Sequence, residues 1–199
     1  MFNNDFIEVY DNSLSSEDCI HLINFYEHED VNKKIYGNGS QFVKAKKVAH
    51  TLSLNIRSHY HSQYNSYINP LLSRYIKKYK EKYSYLDNQE DWTVSSKYNF
   101  QKYEDGEGYY SLHHEHSCIY PYRMLVWMIY LNDAKCGTEF THQKRVIKPK
   151  TGRLVIWPAA WTHAHKGITP NKGLKYIITG WFSYVPVMDK ENKLVTGLD

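Results

Sequence analysis

The spacing of apolar residues predicts two helices in the first half of the chain. In residues 16–28 the apolar positions recur every three or four residues, which is the spacing of one helical face. Ser15 precedes this pattern with Glu17 and Asp18 just after it, as in a helix N-terminal cap. Asn69-Pro70 predicts the start of a second helix, ending near residue 84. The two apolar faces consist of Cys19, Leu22, Ile23 and Tyr26, and of Leu71, Leu72, Tyr75, Ile76, Tyr79 and Tyr83.

From Trp92 onward the pattern changes to short apolar or alternating runs separated by turn residues. Such spacing is typical of many short strands, and together with a first strand at residues 6–10 it predicts an α+β, mainly β fold. We expect a double-stranded β-helix, or jelly roll, with the N-terminal helices packed on it. The predicted strands cover 93–103, 109–113, 124–131, 145–148, 154–157 and 174–185.

Length and composition favour one domain that could bury a normal core. The chain has 199 residues, of which 42% are hydrophobic. We expect supporting elements in 1–98, a catalytic core in 99–185 and a tail in 186–199. The N-terminus lacks a basic segment followed by an apolar one, and no apolar run is long enough to span a membrane, so a cytoplasmic location is expected.

Charge and cysteine content exclude few functions. The formal net charge is +4, and the lysine clusters at 33–34, 44–47 and 77–82 are interleaved with acidic residues, which favours a solvated surface over a nucleic-acid interface. Three cysteines without a CxxC pair fit a reducing compartment and argue against structural zinc.

A His-x-Glu pair is the most informative motif. On a strand, residues two apart share a face, so His113 and Glu115 could hold one metal ion if a distant histidine joins them. His163 and His165 are both candidates, and spacing alone does not choose between them. Two imidazoles and one carboxylate form the facial set that binds Fe(II) and leaves positions open. A His114-x-His116 pair is an alternative metal site.

Residues 99–184 resemble the Fe(II)/2-oxoglutarate-dependent oxygenases of the prolyl 4-hydroxylase-like group. The order and spacing of many short motifs carry this resemblance, which covers close to half of the chain. The matching pieces are Tyr103-Glu-Asp-Gly106-Glu-Gly108-Tyr109, His113-His-Glu115, Arg123, Tyr130-Leu-Asn-Asp133, Gly137-Thr138-Glu-Phe140, Pro149-Lys-Thr-Gly152, Ile156-Trp157-Pro158, His165, Gly173-Leu-Lys175 and Trp181.

The resemblance implies a role for each matching position. His113, Glu115 and His165 fall on the catalytic iron ligands, and His165 is preferred to His163 because the family keeps a lysine ten residues after its distal histidine. That lysine, Lys175, falls on the residue that binds the distal carboxylate of 2-oxoglutarate. The cosubstrate pocket would also include Tyr103, Thr138 and Trp181. Glu115 replaces the more usual aspartate, and the turn before Thr138 is shortened.

The expected function is therefore hydroxylation of an unactivated C–H bond with Fe(II), 2-oxoglutarate and O2, with succinate and CO2 as coproducts and ascorbate as a supporting reductant. The expected substrate is a peptide, through a prolyl residue, or a small molecule. The alternatives are a nucleic-acid-modifying oxygenase, for which Lys144, Arg145 and Lys148 are the candidate contacts, and a metal-binding jelly roll without turnover. Substrate choice is expected to depend on loops 30–55, 85–92 and 116–122, with Tyr109, Tyr120 and Tyr122 as stacking candidates.

Overall fold

The computed structural model describes residues 4–37, 47–170 and 172–186. Within them lie two α-helices, several short 3₁₀ segments and strands in three sheets. The helices are α1 (Ser16–His28) and α2 (Ser62–Lys82). The strands are β1 (Glu8–Tyr10), β2 (Lys34–Tyr36), β3 (Lys47–Val48), β4 (His50–Asn55), β5 (Trp92–Tyr103), β6 (Gly108–Tyr109), β7 (Arg123–Tyr130), β8 (Gly137–Phe140), β9 (Arg145–Ile147), β10 (Arg153–Pro158), β11 (His165–Ile168) and β12 (Lys175–Tyr184).

A large antiparallel sheet forms the frame of the molecule. Its seven strands run in the order β1-β10-β7-β12-β5-β4-β2, so β12, the last of the described strands, lies at the centre between β7 and β5. A smaller sheet has the order β11-β8-β9, and β3 pairs with β6. This arrangement confirms the predicted mainly β jelly-roll fold with helices packed on it.

The alternation of side chains along the large sheet divides the core into two layers. On β7, Leu125, Trp127 and Ile129 pack with residues of α1 and α2. The intervening Val126, Met128 and Tyr130 face the opposite way, into a layer that includes Phe140 and Ile147 of the small sheet. Because residues two apart on a strand share a face, this division fixes which side chains of β5, β7 and β12 point between the two sheets.

The first helix has the predicted bounds. The Ser15 side chain accepts a hydrogen bond from the backbone N–H of Asp18 (3.0 Å), and the acidic Glu17 and Asp18 lie in the first turn, where the helix dipole favours negative charge. The buried positions Cys19, Leu22 and Tyr26 are those that the periodicity predicted.

The predicted start of the second helix at Asn69-Pro70 is wrong. The helix α2 begins at Ser62 and passes through Pro70 without ending. Pro70 removes one backbone hydrogen bond, but the turns before it bury Tyr64, Asn65 and Ile68. Asn65 also donates to the backbone carbonyls of Asn55 and Ser58 and accepts from the Tyr98 hydroxyl, so tertiary contacts outweigh the loss.

The predicted strands agree with the structure except in several places. The first strand begins at Glu8, and where 109–113 was expected only Gly108–Tyr109 forms a strand. The expected loop 30–55 contains β2, β3 and β4, and the short strands β8 and β11 were not predicted. Part of that loop, with Lys44 to Lys46 of a lysine cluster, lies outside the described residues, as do Asn171 and residues 187–199 of the expected tail.

Neither of the described helices combines the length and apolar character that a membrane crossing requires.

The turn before β10 is joined to the N-terminal segment through Gly152. This residue has φ +71°, and its carbonyl accepts hydrogen bonds from the backbone N–H of Ser13 (2.8 Å) and from the Ser13 hydroxyl (2.6 Å). A Cβ atom at this position would overlap the backbone of Leu14. The glycine is therefore required both by its conformation and by the close approach of a second chain segment.

We predict that Gly152→Ala lowers the free energy of unfolding by about 3 kcal/mol or more, because it combines left-handed strain with a backbone collision. Gly106→Ala is the matched control: Gly106 has φ +77° but open space around its Cβ position, so a loss of about 1–2 kcal/mol is expected. Urea denaturation monitored by circular dichroism measures both. Equal losses would show that the contact with Leu14 is unimportant.

Candidate metal centre and adjoining cavity

Backbone hydrogen bonds bring the two halves of the His-x-Glu…His pattern together. His113 donates its N–H to the carbonyl of His165 (3.0 Å), and His165 donates to the carbonyl of His113 (2.9 Å). The N–H of Glu115 is bound to the carbonyl of Ala159 (3.0 Å). These bonds place the segment 113–115 against the start of β11, with its first and third side chains directed to the same place.

His113, Glu115 and His165 each offer one ligand atom, and these atoms lie within 4.8 Å of one another. They are the one group of three or more potential metal ligands in the part of the chain that the structure describes. His163, the alternative that spacing left open, points elsewhere: its Nε2 lies 2.8 Å from the carbonyl oxygen of Asp5, and its Nδ1 contacts Thr162. The geometry therefore favours His165 as the third ligand.

Both imidazoles are oriented as metal ligands commonly are. The Nδ1 of His113 lies 2.9 Å from the carbonyl oxygen of Ser111, and the Nδ1 of His165 lies 2.9 Å from that of His163. Because a carbonyl only accepts, each Nδ1 carries a proton and donates it. This leaves the two Nε2 atoms for the site, and backbone carbonyls that bind the other ring nitrogen are frequent partners of metal-bound histidines.

The carboxylate of Glu115 has two differently placed oxygens. Oε1 lies 3.5 Å from the Nε2 of His113. Oε2 accepts hydrogen bonds from Arg123 Nη1 (2.7 Å) and from the indole N–H of Trp181 (3.1 Å). One oxygen thus faces the imidazoles, and the other is satisfied by protein donors.

Electrostatics favour the charge states that a divalent cation needs. Burial alone would raise the pKa of Glu115, but the hydrogen bond that His113 donates when protonated, with the charges of protonated His113 and His165 and of Arg123, lowers it to about 2. Burial lowers the pKa of His165 to about 4. At neutral pH the glutamate is therefore ionised and His165 is neutral, so a buried anion and two imidazole nitrogens surround a position suited to a cation such as Fe(II).

A cavity of about 60 Å³ adjoins this triad and contains a buried lysine. Lys175, at the start of β12, is 3% exposed, and burial lowers its pKa. Its Nζ lies 4.4 Å from the ring centroid of Tyr103, the residue opposite it on β5. Among the described residues, no carboxylate forms a salt bridge with Lys175. An unpaired buried ammonium is unfavourable, so this position is suited to an anionic ligand.

Two other residues predicted for the cosubstrate pocket also line the cavity. The Tyr103 hydroxyl donates to Gln101 Oε1 (2.9 Å), and the Thr138 and Tyr130 hydroxyls lie 2.7 Å apart. Trp181 does not line it. It lies on the far side of Glu115, where its indole N–H binds the carboxylate.

Sequence reasoning missed several residues that border the cavity. Gln101 shares a face of β5 with Tyr103, and Ile177 and Thr179 share a face of β12 with Lys175, so the two-residue period of a strand could have identified them. Tyr109, a candidate for stacking on a substrate, lines the cavity and stacks on His113 with the ring centroids 3.6 Å apart.

A wider depression, which we call the lateral groove, begins where this site ends. It has a volume of about 540 Å³ and shares Arg123 and Trp181 with the surroundings of Glu115. Its wall contains Tyr120, Pro121 and Tyr122, from a loop that was expected to determine substrate choice. The other lining residues are Arg57, Thr93, Val94, Ser95, Ser96, Lys97, Ile119, Ser183, Tyr184, Val185 and Pro186.

The remaining histidines of the motif region are not gathered into a second site within the described residues. His114 and His116 are exposed, and the Nδ1 of His116 contacts the carbonyl oxygen of Arg123 (3.1 Å). The alternative His114-x-His116 site is therefore not formed.

Comparison with known proteins agrees with this geometry. Residues 98–183 match the family model described as the 2OG-Fe(II) oxygenase superfamily. No curated protein sequence matches the chain significantly.

Solved structures share the fold at low sequence identity. The chain is similar to the viral collagen prolyl hydroxylase of Paramecium bursaria Chlorella virus 1 in its 2OG complex (TM-score 0.68, 18% identity, covering 92% of this chain and 98% of that one). It is also similar to a Pseudomonas putida prolyl-4-hydroxylase (TM-score 0.66, 16% identity, covering 92% of this chain and 94% of that one). A third similar structure is a Trichoplax adhaerens prolyl hydroxylase in complex with a hypoxia-inducible-factor peptide fragment. Its TM-score is 0.62 and its identity 15%, covering 91% of this chain and 84% of that one.

We predict that His165→Ala weakens binding of Co(II), an oxygen-stable substitute for Fe(II), by at least about 100-fold, because it removes one of three ligands. His163→Ala is the control, since His163 is buried nearby but turned toward Asp5. Visible absorption titration of the apoprotein measures both affinities. A loss in His163→Ala with retention in His165→Ala would reverse the ligand assignment.

Proposed function

We propose that the chain, whose residues 98–183 match the 2OG-Fe(II) oxygenase superfamily, is a hydroxylase acting on a prolyl residue of a polypeptide. Members of this family use Fe(II), 2-oxoglutarate and O2. The site offers one position suited to the metal and an adjoining cavity suited to 2-oxoglutarate. The observation that carries the proposal is that His113, Glu115 and His165 border the same cavity as the buried ammonium of Lys175, which pairs with no carboxylate of the described residues.

His113, Glu115 and His165 would hold Fe(II), and Lys175 would bind the distal carboxylate of 2-oxoglutarate. The ammonium would then gain a charged partner, which the described part of the chain does not supply, and such charge-assisted hydrogen bonds are strong when buried. The hydroxyls of Tyr103 and Thr138 lie in the same cavity and would contribute further bonds. When bound, the iron and 2-oxoglutarate supply the oxidation of an unactivated C–H bond by O2, with succinate and CO2 as coproducts.

The protein's own part is to bind, orient and exclude water. Met128, Trp157 and Ile177 contribute apolar surface to the cavity, which keeps the reacting groups away from solvent. Glu115 serves as a ligand in this scheme and moves no proton. The dry surroundings also strengthen the interaction of Lys175 with a carboxylate.

The lateral groove supports a polypeptide substrate. It opens beside the metal position and is lined by four aromatic residues, Tyr120, Tyr122, Trp181 and Tyr184. Grooves lined by aromatic side chains are a recurring recognition surface for proline-rich segments, whose extended conformation is largely formed before binding. The structural neighbours include prolyl hydroxylases, one of them in complex with a peptide fragment, and this lends further support.

Of the basic residues considered for a nucleic-acid interface, Arg145 gives that alternative little support. The Arg145 guanidinium binds both carboxylate oxygens of Asp5 (3.0 and 2.9 Å) and the carbonyl of Ile7. Its charge is therefore neutralised within the protein. The alternative of a metal-binding module without turnover leaves the buried Lys175 unexplained.

The proposal is tested by incubating the protein with proline-rich peptides, Fe(II), 2-oxoglutarate and O2, and locating any added oxygen by fragmentation mass spectrometry. We expect oxygen on proline in a peptide and none on free proline, because the lateral groove binds flanking residues. Glu115→Ala should give no product. Oxidation of free proline alone would support a small-molecule hydroxylase, and oxidised nucleotides in a parallel DNA and RNA assay would favour the nucleic-acid alternative.

We predict that Lys175→Met raises the KM for 2-oxoglutarate by at least about 30-fold, since losing one partner of a buried charge pair costs 2 kcal/mol or more. Co(II) affinity should be unchanged, because Lys175 is not among the predicted ligands. Lys166→Met is the matched control: Lys166 is a partly exposed lysine of β11 that pairs with Glu139. An unchanged KM in Lys175→Met would exclude Lys175 as the anchor.

A further inference from the structure

The side-chain length of Glu115 poses a geometric problem for a metal ligand. Glutamate has one methylene more than aspartate, so its carboxylate has an additional rotatable bond and can present one or both oxygens to an ion. Binding through both oxygens would occupy a further coordination position. The chemistry of a facial site requires positions left open for other ligands.

Two hydrogen bonds hold the Glu115 carboxylate in one orientation, and both are made by the oxygen that faces away from the imidazoles. Arg123 and Trp181 both donate to Oε2 (2.7 and 3.1 Å), while Oε1 faces His113. Two donors on one oxygen hold the carboxylate at a fixed angle and reduce the availability of that oxygen to a cation. Oε1 remains free to bind.

The donors are themselves held in place by stacking. The Arg123 guanidinium carbon lies 3.5 Å from the Trp181 ring centroid and 3.7 Å from that of Tyr120, so the planar group is enclosed between two aromatic faces. Arg123 is on β7 and Trp181 is on β12, which are neighbouring strands of the large sheet. Cation–π contacts of this kind restrict the side chain without using its N–H donors.

We infer that Arg123 and Trp181 are positioning residues that limit Glu115 to binding the metal through Oε1 alone. We call the pair the carboxylate brace. This inference rests on the proposed assignment of Glu115 as a metal ligand and adds the reason why a glutamate works there. Hydrogen-bond partners of a metal-bound carboxylate typically contribute 10- to 100-fold to metal affinity.

The carboxylate brace assigns Trp181 a role other than the one expected from the sequence. As a cosubstrate residue, Trp181 would contribute to the affinity for 2-oxoglutarate. As part of the carboxylate brace, it contributes to the affinity for the metal and leaves 2-oxoglutarate binding to the cavity with Lys175. These two roles can be separated by measurement.

The first experiment is Co(II) titration of the apoprotein and of Trp181→Phe, followed by anaerobic 2-oxoglutarate binding to the saturated proteins. We expect Trp181→Phe to weaken Co(II) binding about tenfold and to change 2-oxoglutarate affinity less than about threefold. Trp127→Phe is the matched control. Trp127 is a buried tryptophan of β7 in the layer that packs on the helices, and its indole nitrogen has no hydrogen-bond partner in the described structure.

A double-mutant cycle then separates positioning from a general structural effect. In Glu115→Asp the carboxylate is shorter by one C–C bond and cannot reach both the metal and the carboxylate brace. Adding Trp181→Phe to Glu115→Asp should therefore change Co(II) affinity less than about twofold. Arg123→Gln provides a second, independent variant for the same cycle and should also weaken binding about tenfold when Glu115 is present.

The outcomes distinguish the inference from the proposed function. Equal losses from Trp181→Phe with and without Glu115→Asp, or a loss of 2-oxoglutarate affinity in place of Co(II) affinity, would overturn the carboxylate brace and leave the enzyme assignment intact. If the unaltered protein fails to bind Co(II), the metal centre itself is refuted and the inference falls with it.

Discussion

The reciprocal backbone hydrogen bonds between His113 and His165 are the interaction on which the site depends. They join two segments more than fifty residues apart and bring the two imidazole rings to 4.4 Å between centroids. On one side, β11 continues from His165 into the small sheet, where it pairs with β8. On the other, Glu115 is held at Ala159, at the end of β10 in the large sheet. The metal position is thus built where the two sheets meet, and its geometry follows from their pairing.

Elements set by local signals could be predicted from the sequence, and elements set by contacts between distant segments could not. Helix α1 was predicted to the residue because its cap and its apolar period act locally. Helix α2 was not, because Tyr64, Asn65 and Ile68 find partners on distant strands and carry the helix through Pro70. Strand β8 was not predicted, since Gly137 is locally typical of a turn and becomes part of a strand only by pairing with β11 and β9.

For the candidate site, the residues were predicted better than their contacts. His113, Glu115, His165, Tyr103, Thr138 and Lys175 border one cavity, as expected. The local sequence could not choose between His163 and His165, because the choice depends on a contact between His163 and Asp5 at the opposite end of the chain. It also could not place Trp181 at Glu115: the two-residue period puts Trp181 on the same face of β12 as Ile177, but its contact with Glu115 depends on where backbone bonds to Ala159 hold the segment 113–115.

The central place of β12 in the large sheet has a consequence for the synthesis of the protein. Residues 175–184 pair with both β5 and β7, so the sheet has a gap at its middle until β12 has been synthesised. The edge strand β1 also has to wait for β10. Completion of the large sheet therefore depends on contacts distant in sequence, which form slowly. During that interval the apolar strand β7 is exposed, and nascent chains have to be protected from association with one another.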